Sequence, residues 1–265
     1  MDWLDEGIVL SARKHGESAA IVQLLTRDHG RHAGLVHGGA GSKTRGTLQP
    51  GNRVQAAWRA RLSEHLGSYA CELVHSGAAV LLDDPLRLAA LAASAALAEA
   101  ALPEREPHPA VYDGFVALIA ALEASERIAG WGRAQVAWEL GLLAELGFGL
   151  ELTSCAVTGR NDDLAYVSPR TGRAVTLSAG EPYKERLLPL PRFLAMAGVA
   201  PTDGDILDGL ALTSHFLERH VFASLHRELP QARLQLMERL ARALQRNGRA
   251  AGGEAPPTDA PSTSD

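Results

Sequence analysis

A chain of 265 residues, 46% hydrophobic and only 5% aromatic, is long enough to bury a substantial core, as one large domain or two small ones. Its formal charge of −5 excludes a uniformly basic protein, and two cysteines, Cys71 and Cys155, exclude a disulfide framework. The longest apolar run, Leu86 to Leu102, is interrupted by Arg87 and Glu99 and falls short of a membrane span, and no charged leader followed by an apolar stretch opens the sequence, so a cytoplasmic protein is expected.

The first eighty residues alternate short β-like runs with turn signals. Strands are predicted over Gly7 to Arg13, Ala19 to Thr26, Gly30 to His37, Arg53 to Leu62 and Tyr69 to His75. Lys14-His15-Gly16, Asp28-His29-Gly30 and Gln49-Pro50-Gly51-Asn52 supply turns. Five short strands in so small a segment suggest a closed barrel, and the OB-fold is one barrel of that size. Between the third and fourth strands, Gly38 to Gly46 is too rich in glycine for a regular element and carries Lys43 and Arg45. That loop is not a nucleotide-binding P-loop, because Ser42 and His37 stand where the motif needs glycines and Pro50-Gly51 prevents a long helix from following.

The fourth strand has opposite parities for charge and hydrophobicity. Arg53, Gln55, Arg59 and Arg61 share one face, while Val54, Ala56, Trp58, Ala60 and Leu62 share the other. Residues 7 to 62 carry nine cations, Arg13, Lys14, Arg27, Arg31, Lys43, Arg45, Arg53, Arg59 and Arg61, against the two acids Glu17 and Asp28. This excess of seven positive charges in a chain that totals −5 leaves twelve negative charges in excess elsewhere. Such an asymmetry points to a polyanionic partner for the N-terminal part, with those nine residues as candidate phosphate contacts. A scaffold contacting an acidic protein and an RNA-binding OB-fold protein are alternatives with the same signature. Few aromatic residues look exposed here, and Trp58 lies on the apolar parity, so strong base stacking is not expected.

After residue 80 the pattern becomes helical and rich in alanine. Asp83-Asp84-Pro85 opens a helical region that extends to about Ser125, and a further helix runs from about Gly132 to Leu146 before Gly147. Ala165 to Ser168 and Arg173 to Thr176 read as a hairpin within an insertion at about residues 153–177, and helices resume from about Pro191 to Gln245. Asp203, Asp205 and Asp208 are acids at a helix start rather than a metal site. No Gly-x-Ser-x-Gly elbow and no His-Glu-x-x-His motif is present, and nothing assembles a nucleophile with its base. The closing stretch to Asp265 is made of Ala, Gly, Pro, Ser, Thr and Asp with little to bury, so residues 247–265 are expected to be disordered. The expected organisation is a barrel over residues 1–80 and a helical domain over 81–246.

Cys155-Ala156-Val157-Thr158-Gly159 has one cysteine where a structural zinc site would need four ligands in two Cys-x-x-Cys pairs. Thr158 holds the second position and no cysteine follows, so neither metal nor cofactor is expected.

Several of these stretches resemble the RecO family of bacterial DNA repair proteins. They are Gly7-Ile8-Val9-Leu10 through Arg13-Lys14-His15-Gly16-Glu17, then Leu25-Thr26 with His29-Gly30-Arg31, then Gly38-Gly39 with Ser42-Lys43 and Arg45-Gly46, and Leu48-Gln49-Pro50-Gly51. In the helical part, Leu142-Leu143 through Leu146-Gly147-Phe148-Gly149-Leu150 to Cys155, and Leu229-Pro230 through Arg233 to Leu236-Met237-Glu238-Arg239-Leu240, carry it further. The resemblance implies an α+β protein with an OB-fold barrel, a helical domain and a zinc-ribbon-like insertion, here degenerate. It also implies a non-enzymatic recombination mediator of the RecF pathway. Such a protein binds single- and double-stranded DNA, anneals strands, contacts the C-terminal tail of single-stranded DNA-binding protein, and acts with RecR to load RecA. An acidic tail ending in apolar residues requires a hydrophobic groove with a cation at its edge, for which Arg133, Trp138 and Leu142 are candidates at helical spacing. Trp138 and Leu142 read equally well as core residues.

Overall fold

The computed structural model describes residues 1–252, with the side chains of Lys43 and of 247–252 outside that description. Five strands, β1 (Asp2–His15), β2 (Ala19–Thr26), β3 (Gly30–Val36), β4 (Arg53–Arg59) and β5 (Ser68–His75), close a barrel in the order β1-β2-β3-β5-β4. This is the OB-fold anticipated from the strand count. The contact that closes it between β3 and β5 is a single parallel pair, Leu35 with Ser68. The interior holds Val9, Val22, Leu24, Val36, Val54, Ala56, Trp58 and Tyr69, so the apolar parity of β4 faces inward as the sequence pattern requires.

The barrel strands differ from the sequence expectation in places, β4 for one ending at Arg59 so that Arg61 and Leu62 leave the strand. The strand β1 begins at Asp2 rather than Gly7, because backbone pairing with β4 continues through the polar stretch, Asp2 opposite Arg59 and Glu6 opposite Gln55. The loop judged too glycine-rich for regular structure contains a short helix, α1 (Ser42–Thr47), capped where Leu48 buries itself in the barrel.

The helical part follows through α2 (Gly77–Val80), α3 (Pro85–Ala101), α4 (Pro109–Ala124) and α5 (Ile128–Glu145). Asp84 caps α3 by accepting from the amides of Leu86 and Arg87, with proline in the first turn. A three-stranded sheet then forms from β6 (Leu164–Val167), β7 (Ala174–Thr176) and β8 (Leu188–Pro189), with α6 (Leu177–Gly180) between the last two. The hairpin was legible in the sequence, whereas its two-residue third strand was not. After α7 (Arg192–Ala195), α8 (Asp203–Phe216) opens on a capping box between Thr202 and Asp205, with Asp203 and Asp205 in its first turn and Asp208 beyond it. The last helix, α9 (Gln231–Gly252), continues past residue 246, where the composition reading ends the helical domain and begins a disordered tail. Residues 253–265 of that expected tail lie outside the described residues.

The barrel keeps its own interior, but its outer face is built into the core of the helical part. Ile8, Leu10 and Leu25, on the outer face of β1 and β2, belong to the same buried cluster as Leu91, Phe115, Trp131 and Leu142. Two glycines permit the close approach. Gly30 (φ 66°) and Gly51 (φ 87°) occupy the left-handed region, where a Cβ would collide with the Glu106 carbonyl and with the Leu91 side chain respectively. Residues between α3 and α4 also dock along β3, the Arg105 amide donating to the Arg31 carbonyl at 2.8 Å.

Inside the helical part, Arg233 and Glu139 form a fully buried pair, Nε to Oε1 at 2.7 Å and Nη2 to Oε2 at 2.9 Å. Gln135 donates to the same carboxylate, and Ser94 donates to Gln135 in turn. Removing one member of a buried pair strands the other's charge, so Glu139→Gln is expected to cost about 3–5 kcal/mol. Urea unfolding followed by circular dichroism checks this, and a loss below 1 kcal/mol would show the pair to be energetically idle.

Candidate nucleic-acid interface

The nine candidate cations divide by the company they keep. Four are held by carboxylates. Arg13 meets Glu99 on α3 at 2.8 Å, and Arg27 makes a two-pronged contact with Asp113 on α4 at 3.0 and 3.1 Å. The Arg27 guanidinium holds the Asp113 carboxyl below the usual carboxylate range, and Asp113 in turn raises Arg27. Arg31 is mostly covered, with Nε on the Leu102 carbonyl at 2.8 Å and Nη1 on Glu104 at 3.1 Å. Arg53, on the strand that seemed to carry a continuous cationic stripe, is bound to Glu6 at 2.6 Å and its guanidinium is stabilised by that hydrogen bond. Arg31 and Arg53 are therefore tied down within the fold, and Arg13 and Arg27 are clasped by acids of the helical part.

The other five are Lys14, Lys43, Arg45, Arg59 and Arg61. Among the described residues Lys14, Arg45, Arg59 and Arg61 have no carboxylate within ion-pair distance. Lys43 lies on α1 two residues before Arg45. They do not form one stripe. Lys14 pairs in register with Ala20 at one end of β1, whereas Arg59 faces Asp2 at the other. Lys14 and Arg45 share the wall of an open depression of about 450 Å³ with Gly39, Gln49 and Pro50. Arg61 follows β4 in the loop before β5 and is exposed.

The end that carries Arg59 and Arg61 also gathers the barrel's aromatic side chains. Trp3 stacks on His29 with ring centres 4.2 Å apart and lies 5.8 Å from Trp58, while His32 meets Trp58 edge-on at 4.9 Å. The Tyr69 hydroxyl is 3.0 Å from His32 Nδ1, and His29 Nδ1 is 3.0 Å from an Asp5 oxygen. A pocket of about 580 Å³ opens over this cluster. Burial, reinforced by the nearby Arg105 charge, pushes His32 down to about 4. The sequence reading missed this assembly. The signal was present in Trp3, which sits opposite Trp58 once β1 and β4 are paired in register. Arg105 comes from the segment after α3, and its contribution to the barrel had no local signature.

In the helical part, α4 and α5 leave an apolar groove of about 290 Å³ lined by Gly114, Ala117, Ala134, Ala137, Trp138 and Gly141. Trp138 forms its buried floor, its Nε1 donating to the Val111 carbonyl at 3.2 Å. Arg133 is exposed, adjacent to Ala134 and one turn before Ala137. Leu142 is completely buried in the core and does not line the groove, which corrects its assignment as a contact residue.

The insertion does not fit a zinc site. Cys155 is the one cysteine of the insertion, and its Sγ accepts from the amides of Thr176 at 3.3 Å and Thr158 at 3.5 Å. Burial pushes this thiol up, but hydrogen bonding by the Thr158 side chain and by the Thr176, Thr158 and Val157 amides together outweighs it and brings it down to about 6. No group of three or more His, Cys, Asp or Glu side chains among the described residues could hold a metal ion.

Two family models match the chain, the Recombination protein O N terminal model over residues 1–76 and the Recombination protein O C terminal model over residues 82–229. The chain is 58% identical to the DNA repair protein RecO of Rhodospirillum centenum over 245 residues, covering 92% of this chain and 96% of the relative. It is 55% identical to the DNA repair protein RecO of Phenylobacterium zucineum over 243 residues, covering 92% and 99%. With the DNA repair protein RecO of Rhodospirillum rubrum it shares 54% identity over 247 residues, covering 91% and 97%.

The lowered His32 value makes stability depend on pH in a defined direction. The unfolded chain protonates this imidazole near 6.5 while the folded chain resists until about 4, so stability is unaffected above 6.5 and declines as pH falls toward 4. At pH 5 the loss is about 2 kcal/mol. Urea unfolding of the chain and of His32→Gln at pH 7 and pH 5 should show a smaller loss in the variant. Equal losses in the two proteins would contradict the assignment.

Proposed function

The chain belongs to the RecO family, and from that membership we infer that it is a DNA repair and recombination mediator whose barrel holds DNA through the cations at its two ends. The observation that carries the reading is the division among the nine cations. Four are engaged by carboxylates, while Lys14, Arg45, Arg59 and Arg61 project without such partners among the described residues, and Lys43 joins them by its position on α1. Contacts from lysine and arginine at both ends of a barrel neutralise phosphates without reading sequence, which suits a protein that must act on any damaged site. The ends are twelve residues apart along β1, at most about 40 Å at the rise of an extended strand and less where the strand bends at its bulge, a span compatible with the several nucleotides an OB-fold covers.

In this reading the helical part supplies protein contacts. The groove between α4 and α5 accepts the apolar end of the C-terminal tail of single-stranded DNA-binding protein, and Arg133 at its edge pairs with the tail's carboxylates. Together with RecR the protein anneals coated strands and helps load RecA, acting in the cytoplasm at the nucleoid and performing no bond chemistry of its own. Support for these partners is the family membership joined to an apolar groove with a cation beside it. No helix among the described residues is long and apolar enough to cross a membrane.

Five phosphate contacts give an expected slope of log affinity against log salt of about −3.5 for single strands. Lys14→Ala with Arg45→Ala should reduce that slope by about 1.4 without altering the melting temperature, as followed by fluorescence anisotropy over a salt series. A slope near zero in the unaltered protein would exclude the reading. Arg133→Ala should weaken binding of a tail peptide by about 1–3 kcal/mol in calorimetry, and unchanged affinity would remove Arg133 from that site.

A further inference from the structure

We propose that the aromatic pocket at the Trp3 end of the barrel is a nucleobase site, which takes one unstacked base of a single strand while Arg59 and Arg61 hold the adjoining phosphates. The proposal rests on the DNA-binding reading and adds to it the base as a recognised group. Its wall is built from Trp3, His29, His32 and Trp58, with Ser63 and Arg105 completing the rim. About 580 Å³ is within the range of small-ligand pockets.

The charges select a neutral aromatic occupant. Asp2 and Asp28 contribute two carboxylates, balanced by the Met1 ammonium and the Arg105 guanidinium. Both cations are already committed to the loop between β4 and β5, Met1 to the Ala60 carbonyl at 2.8 Å and Arg105 to the carbonyls of Ser63, Glu64 and His65. The pocket therefore has no spare charge with which to recruit a free anion. What it offers is aromatic surface, with Trp3 only half-buried, and polar edges around it.

Outside the pocket the charge changes sign. Arg59 is the cross-strand neighbour of Asp2, yet forms no ion pair with it, and Arg61 follows two residues later, both exposed. A base in the pocket would place its own strand across this pair, so that stacking and phosphate neutralisation act together. The rim also includes a residue in an uncommon backbone conformation. Arg105 has φ 61°, unusual for a residue with a side chain, and its guanidinium fastens the loop over the aromatic cluster.

The test compares binding of an oligothymidylate with the same oligomer carrying abasic positions, at matched salt, for the full chain and for Trp3→Ala and Trp3→Phe. The expected result is a loss of about five- to a hundredfold for the abasic oligomer. Trp3→Ala should show the same loss with the intact oligomer and no further loss with the abasic one, its salt slope staying unchanged. Trp3→Phe should retain most of the affinity. Equal binding of intact and abasic oligomers by the unaltered protein would overturn the base site, as would a Trp3→Ala loss of equal size on both oligomers. Thymidine monophosphate should compete only weakly; competition as strong as that of the oligomer would overturn the assignment to a strand. Absence of salt-dependent binding to either oligomer would instead defeat the DNA-binding reading itself.

Discussion

The structure depends on the docking of the barrel's outer face against α3 and the segment that follows it. Ile8, Leu10 and Leu25 leave the barrel's own interior to others and join the helical core. Each such side chain removed from water contributes about 1.5–3 kcal/mol, so this contact outweighs any of the exposed ion pairs around it. It also fixes the electrostatics. Glu99, Asp113 and Glu104 are brought to the barrel's flank, where they engage Arg13, Arg27 and Arg31. The same docking carries Arg105 to the mouth of the aromatic pocket. What remains cationic is what neither the acids of the helical part nor Glu6 engages.

The strand set of the barrel was legible because its turns carry glycine at the positions that need it and because β4 alternates cleanly. The second strand gave a less regular sign. Ala19 to Thr26 is nearly all apolar, and in the structure its Leu24 faces the barrel interior while Leu25 faces the helices. A strand covered on both faces loses the period-two pattern. The start of β1 was not legible, since Asp2, Asp5 and Glu6 read as loop until their pairing with β4 is known.

The candidate site was legible in kind and not in detail. Counting cations located the basic segment, but it could not tell Arg53, which is satisfied by Glu6 47 residues away, from Arg59 six residues later in the same strand. Ion pairs of such sequence separation have no local trace. The aromatic pocket was hidden for a similar reason, because Trp58 faces inward as its parity indicates and yet lines an opening shared with Trp3 and His29. In the helical part α5 serves two purposes at once. Trp131, Gln135, Glu139 and Leu142 point into the core, while Ala134, Ala137 and Gly141 line the groove, and spacing alone did not separate Leu142 from the second set.

If the outer face of the barrel is part of the helical core, barrel and helices must unfold together. Hydrogen exchange measured on peptides from β2 and α5 across a urea series tests this most directly. The account predicts a common midpoint and a common dependence on urea for the two segments. Loss of protection in β2 at lower urea, with α5 still fully protected, would contradict it.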